Sequence, residues 1–400
     1  MSTTRETTAA RLKNIAPDDL IYAGLCGMFF FITLGNSPVE ICGVFILGIW
    51  TVSGRIITDI PSWLRSGMAL PVSALFLLPW IGLTYSPSLP EGFRVASKTY
   101  FWFYSVAVVS VLRGRKDREM FLKFFLAGLA INSLISILQY AGAVPLKHGL
   151  PSGLMGISSP WITYSLLLTL GIVIASFYYK RAGSASERTL YILAMLLYLV
   201  PIGFVGGRSG YLAFALLSPL VIGNLIGRRH FLAIAGGSIL AVSLLLVSPV
   251  VQSRLAKVQE DLTLYQQGTV YTSIGLRLHM WKITLSAIKE HPFAGIGTAG
   301  FKRTWEERKG DPALPTYDHP HNSFLYVMVS FGITGLVALC WLFFIMLKRG
   351  WRQMDSAPGF SVFVFTVVLI IGSLTDTQIQ PFPTATALAL FAGVAGTLEV

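Results

Sequence analysis

The chain has 400 residues, of which 54% are hydrophobic and only 12% are charged, and its mean hydropathy is +0.65. Soluble domains carry about 25% charged residues, so this composition excludes a water-soluble protein of this length. A net charge of +12 would suggest a nucleic-acid partner for a soluble chain, but in a membrane protein the charges must first be assigned to loops. We therefore predict a protein that lies in a membrane, with membrane lipids and no nucleic acid among its partners.

The apolar residues form runs of about 17–25 residues, the length that a helix needs to cross a bilayer. These runs predict an all-α polytopic membrane protein with about twelve transmembrane helices. In chain order, the predicted spans are 20–35, 38–54, 67–85, 98–112, 119–140, 160–179, 189–206, 210–227, 231–250, 322–347, 359–375 and 382–398.

The spans divide the chain into four segments. A polar N-terminus at 1–19 precedes spans one to nine, which occupy 20–250. A long segment at 251–320 separates them from spans ten to twelve, within 321–400. Spans seven and eight are joined by a very tight hairpin, Gly206-Gly207-Arg208-Ser209-Gly210.

Lysine and arginine residues in the short loops predict the orientation, since they are in excess on the cytoplasmic side. One side holds seventeen: Arg5, Arg11, Lys13, Arg55, Arg65, Arg113, Arg115, Lys116, Arg118, Lys180, Arg181, Arg188, Arg228, Arg229, Lys348, Arg349 and Arg352. The other side holds four: Arg94, Lys98, Lys147 and Arg208. This difference predicts that both termini are cytoplasmic and that the four lie on the opposite side, which is the periplasm if the host is a double-membraned bacterium.

The segment 251–320 lies on the periplasmic side and is exempt from the charge rule, because long loops are translocated regardless of charge. Gln252 to Gln267 carries apolar residues at helical spacing with charges between them, and Ile274 to Ile288 repeats the pattern. Both stretches predict amphipathic helices that lie on the membrane or on the bundle. Arg303 to Asp318 is polar and is predicted to be a loop.

Arg208 is the first candidate site residue. Glycines on both sides let a ligand approach the backbone closely, and span eight begins at Gly210, so free N–H groups lie beside the guanidinium. These features predict an anion site, which is favoured because an arginine here opposes the orientation rule. The alternative is an arginine that extends to the membrane interface.

Two further arginines, Arg254 and Arg277, lie in the two amphipathic stretches. Arg277 stands one turn before Trp281, and a guanidinium suits bidentate binding of phosphate. A solvated helix face is the simpler interpretation of such an arginine. Trp281 is a candidate for stacking on sugars, as are Trp305 and Tyr317, although aromatic residues at a membrane interface explain them equally well.

A histidine pair marks the start of span ten. His321-Asn322 follows His319 and Pro320, and an imidazole titrates near neutral pH, so it can take a proton from a hydroxyl. His319 competes with His321 for this role, and the alternative is an interfacial histidine that caps the helix. Asp376 between the last spans can orient His321 or a basic residue, although a plain turn is the simpler interpretation.

The sequence contains no P-loop, dinucleotide fingerprint or zinc motif, so we predict no cofactor. The acidic residues Glu306, Glu307 and Asp311 match no metal-ligand spacing, and the three cysteines form no disulfide framework, so we predict no metal site. Arginines near a histidine suit a lipid-linked phosphate or pyrophosphate donor, which carries its own activation and needs no ATP.

With these residues in place, the sequence resembles the O-antigen ligases. His321-Asn322 followed after nine residues by Gly332-Ile333-Thr334-Gly335 matches the H-[NSQ]-x9-G-x-x-[GTY] pattern of that family, and Arg208 to Leu212 matches its R-x3-L pattern. The stretch from Arg277 to Gly297 resembles the start of the region that O-antigen ligases share with O-antigen polymerases and bacterial O-oligosaccharyltransferases.

The resemblance implies that the protein joins an undecaprenyl-pyrophosphate-linked glycan to a sugar hydroxyl of lipid A–core at the periplasmic face, without metal or ATP. It implies that His321 is the base and that Arg208 and Arg277 bind the donor pyrophosphate. It further implies that one displacement inverts the anomeric carbon. As substrate-binding residues we predict Arg254, Asn322, Trp281, Asp376 and His319.

Three other functions remain open. An O-antigen polymerase uses the same donor with another glycan as acceptor, and an O-oligosaccharyltransferase uses a protein Ser or Thr. A lipid-linked glycan transporter belongs to a different class and predicts charged residues inside the spans, whereas here nearly all of them lie at span ends. The pattern around His321 and Arg208 favours the ligase.

Overall fold

The computed structural model describes residues 16–112, 119–146, 156–157, 160–227, 229–380 and 382–398. These residues form seventeen α-helices and no β-strand, which confirms the all-α prediction for the described part of the chain. Several predictions lie outside the described residues, namely those on most of the N-terminus and on nine of the basic residues used for orientation: Arg5, Arg11, Lys13, Arg113, Arg115, Lys116, Arg118, Lys147 and Arg228.

In chain order the helices are α1 (Pro17–Phe31), α2 (Asn36–Val52), α3 (Arg55–Leu64), α4 (Ala69–Ile81), α5 (Leu89–Ser97), α6 (Phe103–Leu112), α7 (Met120–Tyr140), α8 (Trp161–Arg181), α9 (Ala185–Val205), α10 (Arg208–Ile226), α11 (Phe231–Leu246), α12 (Pro249–Gln266), α13 (Ser273–Glu290), α14 (Gly300–Arg308), α15 (Ser323–Arg352), α16 (Ala357–Thr375) and α17 (Phe382–Thr397). Short 3₁₀ turns follow α4 and α5.

Seven of the described helical segments are each long and apolar enough to cross a bilayer, and nine are if each of two bent helix pairs is taken as one span. The bent pairs are α2 with α3 and α11 with α12. Two shorter apolar helical segments, Ala69–Tyr85 and Pro383–Thr397, lie in the regions of predicted spans three and twelve. The chain is thus a multi-pass membrane protein, and the count of twelve stays a prediction.

Three predicted loops are helical instead, one of them being the stretch between spans three and four, which forms α5. The stretch after span two forms α3, which leaves α2 at an angle of 102° after a left-handed turn at Gly54. Arg55 in α3 pairs with Asp18 and Asp59, so the helix is tied to α1. The first part of the predicted loop 303–318 belongs to α14, because Phe301 and Trp305 bury their rings in a small core. The polar composition of the stretches that form α3 and α14 predicts neither the ion pair with Asp18 nor the core around Trp305.

The long segment between α11 and α15 contains the two predicted helices, α12 and α13, and a third, α14. Apolar residues of α13 and α14 pack against the bundle. Met280, Ala287 and Trp305 pack with Val329 of α15 in a second hydrophobic core beside the main one. The segment is therefore fixed to the bundle.

A break in α15 fixes the segment further. Gly332 has φ 64° and ψ −158°, so the helix interrupts its own hydrogen bonds there. The N–H groups of Ile296 and Gly297 donate to the carbonyls of Val329 and Ser330, at 2.8 and 3.1 Å. A side chain at position 332 would lie 2.1 Å from the carbonyl oxygen of Phe293, so only glycine suits this contact. The break joins the loop before α14 directly to the helix that begins at the histidine pair.

Candidate active site where α10, α13, α15 and α16 meet

His321 and Asp376 form a hydrogen-bonded pair. Nδ1 of His321 lies 2.7 Å from Oδ1 of Asp376, although 55 residues separate them in the chain. A carboxylate can only accept, so Nδ1 carries the proton and donates it. No described residue makes a hydrogen bond with Nε2 of His321, which leaves that nitrogen free to accept one. This pairing supports the orienting role predicted for Asp376 over a plain turn.

The residues after His321 hold the pair in place. The Asn322 side chain caps α15 by accepting from the N–H of Leu325 at 3.0 Å, and its amide donates to the carbonyl of Leu374 at 3.0 Å. The Asn322 backbone N–H donates to Thr377 Oγ1 at 3.1 Å. Both side-chain polar atoms of Asn322 are thus used within the protein, and they connect the start of α15 to the end of α16.

His319 supports the backbone of His321. The His321 N–H donates to Nδ1 of His319 at 3.3 Å, and the two rings meet edge to face with centroids 4.5 Å apart. His321 has φ 50°, a left-handed conformation that is uncommon outside glycine and marks functional sites. Because Nδ1 of His319 accepts this bond, its lone pair is not directed at a substrate.

The pKa values of the two flanking groups are shifted. Burial lowers the pKa of His319, and the neighbouring His321 lowers it further, so His319 is neutral at neutral pH. Burial alone would raise the pKa of Asp376, but the hydrogen bond from His321 and the electrostatic interaction with its ring outweigh burial and hold that pKa below its ordinary value. Asp376 is therefore ionised when His321 acts.

The same three groups have metal-ligand chemistry. His319, His321 and Asp376 each offer one ligand atom, and these atoms all lie within 4.8 Å of one another. Two imidazoles and a carboxylate suit a divalent transition metal. Sequence spacing predicted no metal site because Asp376 is remote in the chain.

Arg208 lies where the predicted hairpin places it. Only Gly206 and Gly207 separate α9 from α10, and Arg208 is the first residue of α10. A side chain at Gly207 would lie 2.1 Å from Ser165 Oγ of α8, so the turn packs directly on that helix. The next residue, Ser209, shares a hydrogen bond with Thr375 at the end of α16. This contact brings the arginine turn beside the His321–Asp376 pair.

The two loop arginines approach the same place. The Arg254 guanidinium packs on Gly206, since a Cβ there would lie 3.0 Å from Nε. Arg208 lies within electrostatic range of both Arg254 and Arg277, and Arg277 also interacts with His319. Arg277 donates to Ser273 Oγ at 3.2 Å, but its buried Nε has no hydrogen-bond partner among the described residues. All three predicted arginines therefore converge beside the histidines.

The structure adds one acidic residue that the sequence did not indicate. Asp261 of α12 is only 7% exposed and interacts electrostatically with Arg208. Its carboxylate also accepts from the N–H of Ile274 at 3.2 Å, so it connects α12 to the start of α13. In the described part of the chain, no carboxylate lies within ion-pair distance of Arg208, Arg254 or Arg277. The cluster thus keeps an excess of positive charge.

The aromatic candidates differ in their access to a sugar. Trp281 is half-buried, and its Nε1–H donates to the carbonyl of Pro320 at 2.9 Å, which holds the loop before His321. Trp305 is fully buried, so the suggestion that it stacks on a sugar is wrong for this conformation. Tyr317 packs edge to face on His321, with ring centroids 5.7 Å apart.

Comparison with known proteins agrees with the motifs. A family model described as O-antigen ligase matches residues 193–340, which include Arg208, Arg254, Arg277 and His321. No curated protein matches the sequence. The family match confirms the resemblance that the motifs indicated and supports glycosyl transfer of the O-antigen ligase and polymerase type.

Proposed function

We propose that this chain, with its O-antigen ligase match over residues 193–340, transfers O-antigen glycan from undecaprenyl pyrophosphate to a sugar hydroxyl of lipid A–core. The reaction takes place at the periplasmic face of the bacterial inner membrane, with both termini in the cytoplasm. One observation carries the proposal: a His321–Asp376 pair lies beside three arginines that have no carboxylate within ion-pair distance in the described part of the chain. A base and an anion site together suit an acceptor hydroxyl and a pyrophosphate leaving group.

His321 acts as the general base. Its Nδ1–H donates to Asp376, which fixes the tautomer and stabilises the positive charge that the ring gains. Nε2 accepts the proton of the acceptor hydroxyl while the hydroxyl oxygen attacks the anomeric carbon. The bond from that carbon to the pyrophosphate oxygen breaks on the opposite side, so the carbon is inverted. Proton acceptance by a positioned histidine typically contributes about 10²–10⁴-fold.

Arg208 and Arg277 bind the pyrophosphate and stabilise the negative charge that grows on it as the bond breaks. Arg254, packed on Gly206, adds a third positive charge at the same turn. The start of α10 contributes free N–H groups, which favour an anion at a helix N-terminus. An arginine fork matches phosphate oxygens better than lysine does, so charge alone is not sufficient here.

His319, Asn322 and Trp281 position these groups. His319 holds the left-handed backbone of His321, Asn322 joins α15 to α16, and Trp281 holds the carbonyl of Pro320. Each of these three residues therefore acts on the substrate indirectly, by orienting a neighbouring part of the site.

A deletion strain distinguishes the ligase from its relatives. Loss of O-antigen from lipid A–core, with polymeric lipid-linked donor still present, supports the ligase. Loss of the polymer itself would contradict it in favour of the polymerase. Loss of glycan from protein Ser or Thr, with lipopolysaccharide unchanged, would contradict it in favour of the O-oligosaccharyltransferase.

The proposed mechanism needs no metal, since His321 donates its Nδ1–H to Asp376, whose carboxylate stabilises the charge that the ring gains. Because His319, His321 and Asp376 could also bind a metal ion, removing metal ions tests the proposed mechanism. Transfer by the purified protein should survive EDTA unchanged. Loss of transfer with EDTA and recovery with one divalent cation would contradict the base mechanism.

A further inference from the structure

A cavity lies between α4, α5, α15 and α17. None of these helices carries Arg208, Arg254 or Arg277. It has about 730 Å³ of unfilled space, part of it open to solvent. Its interior is mainly apolar, with Leu75, Phe101, Val327, Phe331 and Leu388 among the lining residues. About 100 Å³ of this space is free for a water-sized molecule, so the partly open apolar cavity suits part of a hydrocarbon chain.

The cavity continues into a polar mouth. A smaller cavity adjoins it and shares Val95, Tyr326 and Gln380 with it. Arg94 lines the mouth, and Lys98 lines the larger cavity. An apolar interior with cations at its opening matches a lipid with an anionic headgroup.

Arg94 and Lys98 lack acidic partners in the described part of the chain. Lys302, the other cation at the mouth, forms an ion pair with Glu91. Arg94 and Lys98 stand four residues apart on a continuous helical turn, where like charges repel. An anion bound between them relieves that repulsion. Both residues also oppose the orientation rule, as Arg208 does.

Gln380 supplies an unpaired acceptor at the same place. Its Oε1 is buried and has no hydrogen-bond partner among the described residues, and the residue lines both cavities. A buried acceptor without a partner is costly, so a ligand with hydroxyl groups stabilises it. Sugar hydroxyls at a lipid headgroup supply such donors.

The mouth lies close to the proposed base. Asp318, which lines it, is three residues before His321, so their Cα atoms are at most about 11 Å apart. Gln380 is four residues after Asp376. A headgroup in this mouth therefore lies near the chain segments that carry His321 and Asp376.

We propose that this cavity holds part of an acyl chain of the acceptor lipid, with a phosphate of its headgroup bound between Arg94 and Lys98. The inference rests on the proposed transfer between two lipid-linked substrates, which needs two separate lipid sites. The donor pyrophosphate occupies the arginine cluster, so the second site belongs to the acceptor. The anchored headgroup then presents its sugar hydroxyl to His321.

The test measures transfer in nanodiscs of phosphatidylcholine, with purified rough lipopolysaccharide as acceptor and lipid-linked O-antigen as donor. Arg94→Ala with Lys98→Ala should raise the acceptor KM about tenfold, the effect of losing roughly 1.4 kcal/mol of binding. The donor KM and kcat should stay unchanged. Lys289→Ala, at an exposed lysine of α13 that lines neither cavity, is the matched control. An unchanged acceptor KM, or an equal rise in both KM values, would overturn the assignment.

A second pair of variants tests the apolar part. Leu75→Trp fills the cavity and should raise the acceptor KM, whereas Leu77→Trp on the exposed side of the same helix should not. Equal effects of the two variants would contradict the site.

A third measurement is independent of transfer. A diazirine-bearing phosphatidylglycerol should label α4, α5 or α15 in the wild-type protein and much less in Leu75→Trp. If the wild type transfers nothing but is labelled, the proposed function fails and the lipid site stands. If transfer occurs but neither labelling nor acceptor KM responds to the variants, the lipid site fails alone. Labelling with an unresponsive acceptor KM would overturn the acceptor in favour of a membrane phospholipid.

Discussion

The two halves of the candidate site satisfy their polar groups in different ways. Around His321, the protein's own hydrogen bonds use Nδ1 of the ring, the backbone N–H and the capping side chain of Asn322. Around Arg208, three guanidinium groups converge with no carboxylate in ion-pair distance in the described ranges, and the buried Nε of Arg277 has no partner there.

The difference indicates what each half does. A group that is fully held in one geometry is prepared to move a proton, because it needs no rearrangement during the reaction. A cluster of like charges is stable only with an anion between them, so its missing partner is supplied by a substrate. The predictions below test whether the two halves really separate proton transfer from anion binding.

The largest effect is expected at the base. His321→Ala should lower kcat by about 10²–10⁴-fold, because the proposed base is removed. The measurement is transfer by purified protein at saturating donor and acceptor. His319→Asn is the matched control, and it should retain most of the activity because His319 acts through the backbone of His321. A greater loss in His319→Asn than in His321→Ala would reverse the two roles.

The arginine cluster should show the next effect. Arg208→Ala should lower kcat/KM for the donor by about 10²–10³-fold, since charge stabilisation is lost at the leaving group. Arg208→Lys should recover only part of this, because an ammonium cannot bind phosphate in a bidentate manner. Full recovery in Arg208→Lys would show that a positive charge is sufficient and that bidentate binding of the phosphate is not needed.

A smaller effect is expected where the two halves are joined. Asn322→Ala removes the cap of α15 and its bond to Leu374, and it should destabilise the fold by about 1 kcal/mol. Asn322→Ser keeps a capping oxygen and should recover much of the stability. The check is the melting temperature in detergent together with kcat. Asn322→Ala with unchanged stability and abolished transfer would point to direct substrate contact instead.

The smallest effect concerns pH. The folded-state pKa values of His319 and Asp376 both lie below their ordinary values, so the folded state binds fewer protons than the unfolded chain and stability is lost as pH falls. The His319 contribution declines below about pH 6.5, and the Asp376 contribution declines only below about pH 3.9. Between neutral pH and about pH 5.5, the melting temperature should therefore drop less in His319→Asn than in the wild type. An equal drop would contradict the buried, neutral His319.

The sequence predicted the features of this site that depend on neighbouring residues, but not the contacts between distant parts of the chain. The turn at Arg208 was predictable because paired glycines and a new span define it within five residues. The pairing of His321 with Asp376 was not predictable, because it forms only when α15 and α16 pack against each other. Asp261 carried no signal at all, since its burial depends on how α12 meets α13.

The fold followed the same rule. Runs of apolar residues predicted most of the helices within a few residues, because length and hydropathy are local properties. The helices α3 and α5 and the first turns of α14 were predicted as loops. For α3 and α14 the stabilising contacts are long-range ones, made by Asp18 and by the buried ring of Trp305. The break at Gly332 was visible only as a motif glycine, and its cause is the loop that packs against it.

The central claim is the separation of anion binding from proton transfer, and one measurement tests it directly. The Kd of the lipid-linked donor and the rate of a single turnover are measured for the wild type, His321→Ala and Arg208→Ala. We expect His321→Ala to bind the donor with the wild-type Kd and to transfer nothing, and Arg208→Ala to bind it at least about tenfold more weakly. If His321→Ala weakens donor binding as much as Arg208→Ala does, or still transfers at the wild-type rate, the division of roles is wrong.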